Sequence, residues 1–227
     1  MKKQILLVPM ILMFLVQCSG IKEEKAMDAH GKYLEIALAF NTENYPWLMG
    51  TKYPQLAVWV ETESGDHVTV FVTIGAGKDK WMFADERPSA LPVWSGVRPE
   101  KQGPDIDAVT GATPGGDMHT IRWAIPEKYA GKNVMVFIEA NVSLDYNEFY
   151  SKDEDSPGFS DVNGQPSVVW RTAFPVDDTP RQLTPDIIGH GHVLGKDSAI
   201  DPDMSGITTA AGLFNYIEIS YQPGGRL

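Results

Sequence analysis

Leu56–Glu63 (LAVWVETE), followed after Ser64-Gly65-Asp66 by His67–Ile74 (HVTVFVTI), is the stretch on which the fold turns. Both runs are rich in β-branched and aromatic side chains, which fit a pleated, half-buried surface. The three residues between them include a glycine, which adopts turn conformations at no steric cost. Two such runs so joined read as a β-hairpin.

The same pattern recurs on either side. Tyr33–Asn41 places Leu34, Ile36, Leu38 and Phe40 at alternate positions, the period of a strand with one buried face. Met118–Ile125 and Asn133–Val142 resume it around a turn at Pro126–Gly131, and Ser167–Phe174 and Phe214–Tyr221 complete the set. A helical turn is expected only around Pro88–Val93, since no window holds ten residues at helical period. Seven short strands, glycine and proline turns and 16 prolines predict an all-β fold, an immunoglobulin-like sandwich with long loops. Asp145–Gln165, with its acidic run Asp153-Glu154-Asp155, reads as an exposed insertion, and Pro175–Ser205 as a long loop rich in Pro, Gly and Asp. Trp59 and Trp170 fall within strand patterns and are expected in the core. Trp47, Trp81, Trp94 and Trp123 stand in or beside loops, where an aromatic ring packs inward or stacks on a partner.

The chain divides into a signal peptide at 1–17, a polar tether at 18–32 and a β-domain at 33–222. Lys2 and Lys3 precede an apolar run from Ile5 to Val16, too short for a spanning helix. Leu15-Val16-Gln17-Cys18 resembles the lipobox at which bacterial lipoproteins are cleaved and lipidated on cysteine. Cys18 is the chain's only cysteine, so its use as a lipid anchor leaves no disulfide and no thiolate metal site. The expected location is extracytoplasmic, on a membrane through the lipid. Hydrophobic content of 43% and charged content of 22% are ordinary for a soluble domain. The net charge of −11, more negative by two once Lys2 and Lys3 are removed, excludes nucleic acid as a partner because its phosphates would be repelled.

Asp107-Ala108-Val109-Thr110-Gly111-Ala112-Thr113 carries an acidic residue three positions before Thr-Gly-Ala-Thr. This pattern resembles the acceptor site at which bacterial flavin transferases attach flavin mononucleotide (FMN) through a phosphoester to the last threonine, here Thr113. A threonine hydroxyl is a weak nucleophile until a base and a metal act on it, and nothing adjacent supplies either. A separate transferase must therefore receive the segment, and Gly111 and Ala112 leave its backbone slim enough to approach a phosphate. Asp107 and Thr110 would position it. The chain continues with Pro114-Gly115 where acceptor-bearing families continue with another Ser or Thr.

The body of the chain, roughly 33–175, resembles a bacterial periplasmic family known as domain of unknown function 2271. The likeness rests on Pro54–Glu61 (PQLAVWVE), Arg87–Gly96 (RPSALPVWSG), Asp107–Thr113 with Gly116, and Val136–Ala140 (VFIEA). It implies a small β-sandwich whose threonine is a flavin site, whose genes accompany flavin transferases and membrane iron-reductase-like proteins.

Gly189-His190-Gly191-His192 sets two imidazoles at strand period, which in extended backbone puts both on one face, as a metal pair requires. Asp186, Asp197, Asp201 and Asp203 are near enough in sequence to complete an oxygen and nitrogen shell. Asp145-Tyr146-Asn147-Glu148 follows a strand and admits both a ligand and a hydrogen-bonded corner. The leading expectation is thus an electron carrier with covalent FMN on Thr113, serving a membrane reductase, rather than an enzyme with its own substrate pocket. The other is a non-redox lipoprotein that holds a partner or a metal at His190 and His192.

Overall fold

A computed structural model of the chain describes residues 31–45, 54–73, 76, 88–98, 110–111 and 117–224. The signal peptide, Cys18, most of the tether, Trp47, Trp81, Asp107, Ala112 and Thr113 lie outside the described residues.

The fold is an all-β sandwich. The seven expected strands form, within a residue or two of their predicted ends, as β1 (Tyr33–Phe40), β2 (Gln55–Thr62), β3 (His67–Thr73), β5 (Met118–Ala124), β6 (Asn133–Asn141), β7 (Val168–Pro175) and β10 (Phe214–Gln222). Three short strands join them: β4 (Thr110–Gly111), β8 (Arg181–Leu183) and β9 (Asp186–His190). One sheet has the order β5-β1-β10-β8 and the other β4-β3-β2-β6-β7-β9. Every named pairing is antiparallel except β3 with β4.

Alternation and register together build the core. Leu34, Ile36 and Leu38 of β1 stand opposite Tyr221, Ile219 and Ile217 of β10. In the other sheet Leu56, Val58 and Val60 of β2 face Ala140, Ile138 and Val136 of β6. These side chains are buried and pack between the sheets with Trp170, Phe174 and Tyr45.

Odd positions in the middle of β2 and β6 are buried too. Ala57, Trp59, Phe137 and Val169 form a second cluster on the outer face of the six-stranded sheet, closed by Leu91, Val93 and Trp94. Val93 and Trp94 belong to a short helix, α1 (Pro92–Val97), which follows Leu91 and a 3-10 turn at Pro88–Ala90. The helical turn expected from sequence thus runs on to Val97. Proline occupies its first position, where a missing N–H costs nothing. Trp59 and Phe137 stack with ring centroids 5.0 Å apart, and the Trp94 indole N–H donates to Thr69 Oγ1 at 3.1 Å.

Two expectations are corrected. Pro175–Ser205 is not one loop, since β8 and β9 form within it; both are sheet edges, where proline and glycine neighbours are tolerated. Asp145–Gln165 is exposed at Glu148, Phe149, Lys152–Asp155, Pro157, Asp161 and Val162, but it is not exposed throughout, since Asp145, Ser160, Asn163 and Gln165 are buried. The insertion folds back through isolated bridges from Asp145 to Gly164 and from Ser151 to Phe159.

Candidate functional site

Three arrangements place chemistry-bearing residues at defined points of the six-stranded sheet. The first is the edge at β4. Thr110 and Gly111 pair with Val72 and Thr73 of β3, and β4 is the last strand on that side. Their seat is firm. Val72 and Thr73 are fully buried, and Thr73 Oγ1 donates to Gln55 Oε1 at 2.8 Å. The backbone of Thr110 and Gly111 is therefore held at a sheet margin.

The second lies at the opposite edge, where β9 ends in His190. Five strand spacings separate the two edges, roughly 24 Å at the usual interval between neighbouring strands. His190 N–H donates to the Asp201 carbonyl and Asp201 N–H to the His190 carbonyl, both at 2.9 Å. The pair of bonds folds residues 191–200 into a closed loop. A cleft of about 480 Å³ opens there, lined among others by Tyr150, His190, His192, Asp197, Ile200 and Asp201. His190 and His192 both line this cleft. The metal shell is not completed: among the described residues no group of three or more His, Cys, Asp or Glu is arranged to hold an ion. Asp186 starts β9, opposite Arg171, at the other end of the strand.

The third is the junction between α1 and the outer sheet face. Glu139, in the middle of β6 between Ala57 and Val169, is completely buried. One carboxylate oxygen accepts from Val93 N–H at 3.2 Å and Ser167 Oγ at 2.6 Å, the other from Trp94 N–H at 2.7 Å. Val93 and Trp94 are the second and third residues of α1, so the carboxylate satisfies amides that a helix start leaves unbonded. No basic residue among the described residues pairs with it. Burial pushes its pKa up to about 7, against the lowering effect of the Ser167, Trp94 and Val93 hydrogen bonds. Sequence reasoning quoted this residue inside VFIEA and missed its role. An acid amid an apolar strand was the available signal, since a buried carboxyl needs donors.

Asp145 proves to be a hydrogen-bonded corner. Its carboxylate accepts from Tyr45 Oη at 2.7 Å, Gln165 Nε2 at 2.8 Å and Thr209 Oγ1 at 2.8 Å. Burial raises its pKa while these three donors oppose the rise. The knot ties the end of β1, the insertion and the turn before β10 together, with every carboxylate oxygen engaged inside the protein.

Of the tryptophans expected beside loops, Trp94 of α1 is buried against the sheet, and Trp123 packs edge-on against Tyr129 at 5.9 Å. No helix among the described residues is long and apolar enough to cross a membrane. No family model, no curated protein and no solved structure matches the chain.

Proposed function

We propose that the chain is an extracytoplasmic electron carrier, anchored by lipid on Cys18 and bearing FMN esterified to Thr113. The observation that supports the reading is the position of Thr110 and Gly111, two residues of the Asp107–Thr113 segment, at the margin of the six-stranded sheet. Thr110 and Gly111 pair on one side with β3, and no other named strand pairs with their outer side. A transferase needs such an edge, because it must take the segment into its own cleft. Gly111 and Ala112 keep the approach narrow, while Asp107 and Thr110 orient the segment so that Thr113 Oγ1 meets the flavin phosphate.

The bound flavin would supply the redox chemistry, and the protein would supply its attachment and electrostatic setting. The resemblance to domain of unknown function 2271 supports a membrane reductase as electron partner. The acidic body, at net charge −11, suits a partner presenting a basic surface.

The deciding experiment is the intact mass of the mature domain produced with and without a flavin transferase. The expected result is a transferase-dependent gain equal to FMN less water, mapped by peptide sequencing to Thr113 and abolished by Thr113→Val. An unchanged mass, with the transferase active on a known acceptor, would reject the carrier reading.

A further inference from the structure

We infer that the cleft at the β9 edge is a binding site for a small organic cation, an ammonium or guanidinium group on a short carbon chain. It stands at the far edge of the sheet from Thr110–Gly111 and does not depend on flavin attachment.

The first ground is the state of the two imidazoles. His190 Nδ1 lies 2.8 Å from the Gly191 carbonyl oxygen, which only accepts, so Nδ1 carries the hydrogen and the neutral ring offers a lone pair at Nε2. His192 Nδ1 accepts from Leu194 N–H at 3.1 Å, so in that neutral ring the hydrogen is on Nε2. The two rings that line the cleft thus carry one free acceptor nitrogen and one donor nitrogen. Neither Nε2 has a partner among the described residues. The same assignment works against a metal, because the lone pair of His192 is already committed to the Leu194 amide.

The second ground is uncompensated charge in a concave setting. Asp197 and Asp201 each spend one oxygen on their own loop, accepting from Ala199 N–H at 3.0 Å and Asp203 N–H at 2.9 Å. No Lys or Arg among the described residues pairs with either carboxylate. Burial, and then the charges of Asp201 and Asp203, push the Tyr150 phenol upward, so this wall keeps its hydroxyl hydrogen in a negative field. Like-signed groups around a cleft concentrate ligands of the opposite sign. Ile200 and Pro166 provide apolar wall for a carbon chain, and the volume suits a small ligand.

The third ground is rigidity. Gly189 has φ +144, and a Cβ there would fall 2.2 Å from the Asp201 carbonyl oxygen. The two sides of the cleft floor are therefore in close backbone contact as well as hydrogen-bonded. A site already in shape loses little affinity to ordering.

The test is isothermal titration of the mature protein with agmatine and with n-butylammonium chloride, using 1-butanol and zinc chloride as comparison probes. Saturable one-site binding of at least one cation is expected, with no binding of the neutral alcohol. Asp201→Asn keeps the backbone-accepting oxygen, so its near-ultraviolet circular dichroism should match the parent while cation affinity falls about tenfold, as loss of a charge-assisted hydrogen bond implies. His190→Ala should weaken the same binding. Absence of saturable cation binding would overturn the proposal, as would binding undiminished in both Asp197→Asn and Asp201→Asn. Zinc binding lost in His190→Ala, without cation binding, would overturn it in favour of a metal site.

Discussion

The inner face of the β2–β6 ribbon is closed by a whole sheet, and its outer face by one short helix. On the inner side the cluster is largely apolar and comes mainly from strands paired along seven or eight residues, with Tyr45, Tyr129 and Leu213 added from the turns. On the outer side Trp59 and Phe137 are capped by α1, whose first turn rests on the Glu139 carboxylate. The inner closure draws on nonspecific burial spread over many side chains. The outer one concentrates in one aromatic stack and one buried charge, so it is local and responds to protonation.

The largest effect should come from an inner position. Ile138→Ala is expected to cost about 2–5 kcal/mol, the range for emptying a buried branched site, read as a lower urea midpoint with exchange rising throughout both sheets. Trp94→Ala removes a side chain of greater size, yet its loss should appear first as faster amide exchange at Val93, Trp94 and Arg98. Protection across the β1–β10 pairing should persist. Equal global loss in both variants would show that the two faces form a single cooperative unit.

The pH dependence of Glu139 follows next. Its folded pKa, about 7, lies above the ordinary carboxyl value of 4.5, so the folded state binds the proton more tightly than the unfolded chain. The contribution to stability is full below about pH 4.5 and is lost as pH rises through 7. Its magnitude is on the order of 3 kcal/mol. Burial raises Asp145 as well, with the same sign. Urea midpoints at pH 5 and pH 8 should therefore favour the acid side, and Glu139→Gln should flatten the difference. An unchanged difference in that variant would mean that ionised Glu139 is fully compensated, contrary to the contrast drawn between the faces.

The smallest effect is expected far from both faces. Asp177 pairs with Arg181 at 2.6 and 2.7 Å on the surface, and the guanidinium holds its carboxyl well below the usual carboxylate range, with the Thr179 amide assisting. Exposed pairs of this kind are screened and contribute little. Asp177→Asn should leave the urea midpoint unmoved at neutral pH. A marked loss would show that the β7–β8 turn is a third stabilising element.

The strands were legible because their signal is local. Leu34, Ile36 and Leu38 recur at the pleat period, and the partner sheet only has to receive them. LAVWVETE already departs from strict alternation at Ala57 and Trp59, which marks burial on both faces, though not by what. The β8 and β9 edges were hidden in a proline-rich stretch because three to five residues hold too little of a period to stand out. Asp145, recognised only as one of two possibilities, became a corner once Tyr45, Gln165 and Thr209 met it from separate segments.

For the site, sequence singled out His190 and His192 as a pair at strand period but could not assign their hydrogens. The ring state depends on which backbone group meets each Nδ1, and that is set by the bend of residues 191–194. Sequence alone also singled out the Asp107–Thr113 motif, because such recognition patterns are read as short linear segments. It determined the all-β class for a related reason, since the alternation of side chains along a strand is intrinsic to the backbone. Only the tertiary structure decided that the motif's Thr110–Gly111 and the histidine cleft occupy opposite margins of one sheet, and that Glu139 lies beneath α1. Those placements depend on which distant segments pair and which returns over the outer face, and no local period encodes either.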